Sequence, residues 1–109
     1  MSDTQALDDP NLASGTESVT VNAQVIATGM EAEMQEYAIQ CANEAIAEHS
    51  GQNMAIAQYI MSHFEEKYDS PWHCVVSDGN LGFFVRYDAS NHIYFTVGPI
   101  TIFLFKNQC

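Results

Sequence analysis

Residues 64–76 read Phe64-Glu65-Glu66-Lys67-Tyr68-Asp69-Ser70-Pro71-Trp72-His73-Cys74-Val75-Val76, and the periodicity of the chain changes within them. Upstream, Ile56, Ile60, Phe64 and Tyr68 step by four, with Ala57 and Met61 beside them. That is the apolar stripe of a helix, for which Asn53 is a credible N-cap. Pro71 cannot continue the helix, and the residue before it is pushed towards an extended conformation. Downstream, Trp72 to Val76 alternates in the manner of a strand. A helix therefore hands over to a sheet at Pro71.

Working back from this point, Ser50-Gly51 closes an earlier apolar series made by Met34, Ala38, Cys41, Ala45 and, slightly off the line, Ile46. Gly51 suits a left-handed cap. Glu31, Glu33 and Glu36 occupy the first turns, where carboxylates favour the positive end of the helix dipole. Two helices of about four turns joined by a tight connection form an αα-hairpin. Before them, Val19, Val21, Val25 and Ile26 predict a short strand within 20–27, and Gly29 breaks it. Residues 1 to about 20 have no aromatic side chain and carry Asp3, Asp8, Asp9 and Glu17. They are expected to be a disordered acidic arm, with the folded domain over 21–109.

Working forward, Asp78-Gly79 is a turn signal. Leu81 to Tyr87 predicts a strand, Asp88-Ala89-Ser90-Asn91 a polar break, and His92 to Val97 a further strand. Gly98-Pro99 marks a turn before the last strand, Ile100 to Phe105. Two helices followed by an antiparallel sheet is an α+β arrangement with the helices on one sheet face.

Composition narrows the function. The formal net charge is −11, with Lys67, Arg86 and Lys106 as the basic residues. Such a surface repels phosphate, so neither nucleic acid nor an anionic membrane is an expected partner. No apolar run is long enough to span a bilayer and no signal-peptide pattern opens the sequence, which predicts a soluble intracellular protein. Cys41, Cys74 and Cys109 are far apart and contain no CxxC pair, so a disulfide framework is not expected.

The segments Phe64-Glu65-Glu66-Lys67-Tyr68, Pro71-Trp72-His73-Cys74-Val75-Val76, His92-Ile93-Tyr94-Phe95 and Leu104-Phe105-Lys106 together resemble the eight-kilodalton dynein light chains, cytoplasmic and axonemal. The resemblance runs from about residue 22 to 106. It implies a homodimer in which the strand Leu81, Gly82, Phe83, Phe84, Val85, Arg86, Tyr87 crosses to the partner's sheet. His73, Phe83 and Val85 would then lie at the dimer interface. Each of two grooves would be bordered by the crossed strand of one subunit and the second helix of the other. Peptides such as dynein intermediate chain segments, or other disordered clients, would dock there as an added antiparallel strand. Met54, Tyr94 and Thr96 complete the implied peptide-binding set. The resemblance places the protein in the cytoplasm on the microtubule cytoskeleton. Several groove positions depart from the family: Phe83 replaces a small serine, Arg86 and Tyr87 replace threonine and histidine, and Met54 replaces a lysine that reaches the peptide's glutamine. Thr96 replaces one of two groove tyrosines, the other being Tyr94.

Other readings are weaker. His49, His63, His73 and His92 with Cys41 and Cys74 lack the spacing of a structural zinc site. His73 and the adjacent Cys74 point to opposite strand faces, so they make a poor nucleophile–base pair. No catalytic residue, metal or cofactor is expected, and the chain reads as a non-enzyme. The remaining alternative is a structural subunit whose grooves are closed by Phe83 and Tyr87, built permanently into an axonemal or cytoskeletal assembly.

Overall fold

The computed structural model describes residues 23–108. The expected acidic arm lies outside the described residues. In chain order the elements are β1 (Ala23–Thr28), α1 (Ala32–Glu48), α2 (Asn53–Tyr68), β2 (His73–Ser77), β3 (Tyr87–Val97) and β4 (Ile100–Asn107). The strands form one sheet in the order β1-β3-β4-β2, and every pairing is antiparallel. The α+β expectation holds.

Strand alternation decides what the helices cover. Cys74, Leu104 and Ile93 form one row across β2, β4 and β3, and Val76, Ile102 and Phe95 form the next. Both rows belong to the core, which α1 closes with Ala38, Cys41, Ala42 and Ala45 and α2 with Ile56, Ile60 and Phe64. Small side chains on α1 let the helix settle close to its neighbour, while the bulk comes from α2. Trp72 packs edge-on to Phe64 at 4.8 Å between ring centres, and its backbone amide donates to a Glu65 carboxylate oxygen at 3.0 Å. The helix-to-sheet joint around Pro71 is therefore tied from both sides.

Local signals were met at two glycines and missed at two other points. Gly51 has φ +80° and Gly98 φ +58°, the region where a missing Cβ removes the steric cost. Gly98-Pro99 makes the two-residue link between Val97 and Ile100, which pair directly. The N-cap of α2 is Gln52, not Asn53; Asn53 is the first helical residue and its amide donates to Asp78 Oδ1 at 3.2 Å. The chain does bend at Asp78-Gly79 where β2 ends, but the bend closes no hairpin, because β2 pairs with β4 and not with the segment that follows it. Finally, residues 88–91 are not a break: β3 runs unbroken through them, absorbing the polar stretch as an irregularity between Tyr87 and His92. Short-range bonds supply the reason. Asp88 accepts from the Ser90 amide and from the Asn91 side chain, which satisfies the polar groups without ending the strand.

Candidate functional site: residues 80–86 and the outer sheet face

The face of the sheet turned away from the helices carries the complementary rows. His73, Phe105 and His92 line up across β2, β4 and β3; Val75, Phe103 and Tyr94 form the next row. Phe103 stacks on Phe105 at 4.6 Å, and His73 lies 5.3 Å from Phe105. This is an aromatic surface on a side of the sheet that has no helix.

Part of its cover comes from the segment between β2 and β3. Residues 80–86 form no strand within the described chain, although their sequence is strand-like. Their side chains nevertheless alternate. Phe83 stacks on Phe103 at 4.2 Å and meets Tyr94 edge-on at 5.3 Å. Tyr87 meets Phe103 at 5.7 Å and lies 4.4 Å from His92. Phe103 is thereby reduced to 1% exposure. Phe84 is 99% exposed and Arg86 is exposed as well. Phe83 and Tyr87 thus rest on the sheet, whereas Phe84, Val85 and Arg86 are exposed to solvent. Phe83 keeps 41% exposure while resting on Phe103, and Tyr87 is half-buried.

Of the residues singled out in the sequence, Phe83, Tyr87 and Tyr94 come together around Phe103. Leu81 is half-buried, while Gly82 and Val85 are exposed beside them. Thr96 follows Tyr94 on the same face and pairs with Thr101. Met54 projects from the first turn of α2, 86% exposed, next to the Asn53–Asp78 link. His73 is half-buried, and its Nε2 is enclosed with no hydrogen-bond partner among the described residues. Phe103, Phe105 and Val75 are site residues that the sequence did not single out. The signal was available: Thr101, Phe103 and Phe105 alternate with Ile102 and Leu104, so β4 has two apolar faces and the helices can cover one.

Charge is distributed unevenly around this segment. Lys67 Nζ sits 4.3 Å from the centre of the Tyr37 ring and Lys106 Nζ 5.6 Å from that of Trp72. Arg86 makes no ion pair, hydrogen bond or ring contact among the described residues. Thiol chemistry finds no support here. Cys74 packs against the core on the helix side, and burial pushes its thiol well above the usual range. Desolvation likewise takes Cys41 to about 11. His73 faces the other way, against Phe105. Among the described residues no group of three His, Cys, Asp or Glu side chains is placed to hold a metal ion. A separate cleft of about 350 Å³ is lined by Glu31, Glu33, Met34, Tyr68 and Asn91, among others.

The family model for dynein light chain type 1 matches residues 22–107. The chain belongs to the dynein light chain family. Solved structures agree on the fold. The dynein light chain-like domain of the calcium-binding protein FhCaBP2 from Fasciola hepatica is 21% identical, with a TM-score of 0.72 over 82% of this chain and 95% of that one. The corresponding domain of CsTAL3 is 14% identical, with a TM-score of 0.67 over 79% of this chain and 93% of that one. The sequence resemblance to dynein light chains is therefore confirmed at the level of family and fold. In this dynein light chain residues 80–86 lie between β2 and β3, with Phe83 on the outer sheet face.

Proposed function

We propose that this dynein light chain is a homodimeric adaptor that binds extended peptide segments at its subunit interface and has no enzymatic activity of its own. The observation that carries the reading is a matched pair of unmet edges. Residues 80–86 have no partner strand, and β2 pairs with β4 on one side and with nothing on the other among the described residues. Exchanging the segment between two copies would satisfy both edges at once and leave no exposed strand edge there. The same exchange would bring covering groups to Val75 and to the enclosed, unpartnered His73 Nε2. Apolar surface of this kind on so small a domain is a mark of association.

A dimer of this form presents two identical grooves. Added strands would take backbone bonds from the crossed segment and be selected by side-chain pockets. Two client chains held side by side gain avidity without new contacts. Dynein intermediate chains or other disordered chains fit this role, in the cytoplasm and on the microtubule cytoskeleton. No helix among the described residues is long and apolar enough to cross a membrane, and the charge of −11 weighs against nucleic acid.

The test is sedimentation equilibrium of the full chain combined with amide hydrogen exchange over residues 81–86. The expected result is a species of twice the chain mass whose amides in that segment are protected, with protection lost on dilution to monomer. A monomer at high concentration, or a dimer with the segment unprotected, overturns the reading.

A further inference from the structure

We infer that the groove selects peptides carrying an acidic residue two positions before an apolar one, read by Arg86 and Phe84. The inference rests on the strand-addition reading above and adds the chemistry of the client.

It begins with the side chains that the crossing segment does not use. Within one chain Phe83 and Tyr87 rest on Phe103. The alternate positions, Phe84 and Arg86, are left outward, and Phe84 is almost entirely exposed. On a strand, residues i and i+2 share one face, so the phenyl ring and the guanidinium form a single two-part surface. An added strand meets that surface with its own i and i+2 residues. Directly opposed side chains are close enough to interact: opposite charges favour each other, and aromatic rings favour aromatic or branched partners.

Charge selects the occupant. The sequence holds fourteen acidic residues and three basic ones. Both lysines are seated over aromatic rings. Arg86 alone of the three cations has no partner among the described residues. In so acidic a chain, a solvent-facing guanidinium that no carboxylate of the described residues pairs with is open to a ligand's carboxylate. Its planar fork matches a carboxylate bidentately, whereas a neutral amide would leave part of the charge unmet. Antiparallel addition fixes the order. The client residue opposite Arg86 comes first and the one opposite Phe84 two positions later, so the preferred pattern is Asp or Glu, any residue, then an aromatic or branched apolar residue.

The experiment displays a library of random twelve-residue peptides to the full-length dimer. It then measures one enriched peptide, with Asp/Glu, Gln or Lys at the first position, against wild type, Arg86→Gln and Arg86→Glu at fixed salt. For wild type the acidic peptide should bind roughly fivefold more tightly than its Gln form, the scale of a partly exposed ion pair. Arg86→Gln should level the two, and Arg86→Glu should reverse the order in favour of Lys. Phe84→Ala should lower affinity for the enriched peptide while leaving the acidic preference in place. Enriched peptides lacking the acidic position, or an unchanged ranking on Arg86→Glu, overturn this specificity and leave the adaptor reading standing. No enrichment at all from a chain that sediments as a dimer overturns both.

Discussion

The two faces of the sheet are built from the same three strands and solved in opposite ways. On the inner face, the rows through Leu104 and Ile102 are sealed by α1 and α2, so the chain supplies its own cover. On the outer face, the rows through Phe105 and Phe103 are just as apolar, yet among the described residues they are covered by Phe83 from the unpaired segment and by Tyr87 at the start of β3. Val75 stays exposed and Tyr94 half-buried. The difference teaches where folding stops and association starts. Residues of the inner face should govern stability at any concentration, and residues of the outer face should govern stability that depends on concentration.

The largest effect is expected at Phe64, fully buried between Tyr37, Tyr68 and Trp72. Phe64→Ala should cost roughly 3–5 kcal/mol, close to the whole stability of so small a domain. Circular dichroism and denaturant titration should show an unfolded or barely folded chain at every concentration. A variant rescued simply by raising the concentration would erase the distinction between the faces.

Phe103→Ala comes next. The ring is as buried as Phe64, but by the crossing segment and its own strand neighbours. A loss of about 2–4 kcal/mol is expected, with the midpoint of unfolding rising steeply with protein concentration. A concentration-independent loss would show that the chain covers this face alone.

Alkaline pH should attack the inner face. Cys41 titrates at about 11 when folded, from an ordinary value of 9.0, because burial disfavours the thiolate; Cys74 shifts the same way for the same reason. A folded pKa above the unfolded one means that the folded chain binds more protons in the window between them. Stability is therefore fully present below pH 9 and falls as pH rises towards 11. For Cys41 the loss is on the order of 2–3 kcal/mol across that window. Tyr37, raised by desolvation to about 12, extends the decline. Urea titrations from pH 8 to 11 should show this slope, and Cys41→Ala, which cannot titrate, should flatten part of it. An equal slope in the variant would place the alkaline transition elsewhere.

The inner face was legible in the sequence because it obeys periodicity: the four-residue steps from Ile56 to Tyr68 and the alternation after Pro71 are both local patterns. The segment 81–87 was legible only in part. Its residues read as a strand, but pairing is a property of two segments, and no pattern within Leu81 to Tyr87 says that residues 81–86 find no partner strand among the described residues. The same limit explains Asp78-Gly79, which has hairpin chemistry without a hairpin, and residues 88–91, whose polar side chains bond to one another and let β3 continue. Of the candidate site, the outward pair could be placed on a common face from alternation alone. Which face is outward could not, since that depends on where Phe103 lies across the sheet.

The smallest effect should fall on Phe84, and it sharpens the comparison most closely because its neighbour behaves differently. Phe83 lies on the sheet and Phe84 points away from it, so equal truncations one residue apart test which way the segment faces. With its ring 99% exposed in the chain, Phe84→Ala removes no packing from either sheet face. Unfolding free energy should therefore stay within about 0.5 kcal/mol of wild type at high and low protein concentration alike. Phe83→Ala takes away a stacked partner of Phe103, and should weaken the fold or the dimer by more, of the order of 1 kcal/mol from the ring pair and additional buried area. The measurement is a pair of denaturant curves for each variant at two concentrations tenfold or more apart. If Phe84→Ala loses as much as Phe83→Ala, and loses it only where wild type dimerises, the Phe84 ring is buried between subunits. It would then be unavailable to a peptide, and the outward surface shared with Arg86 would not exist in the assembled protein.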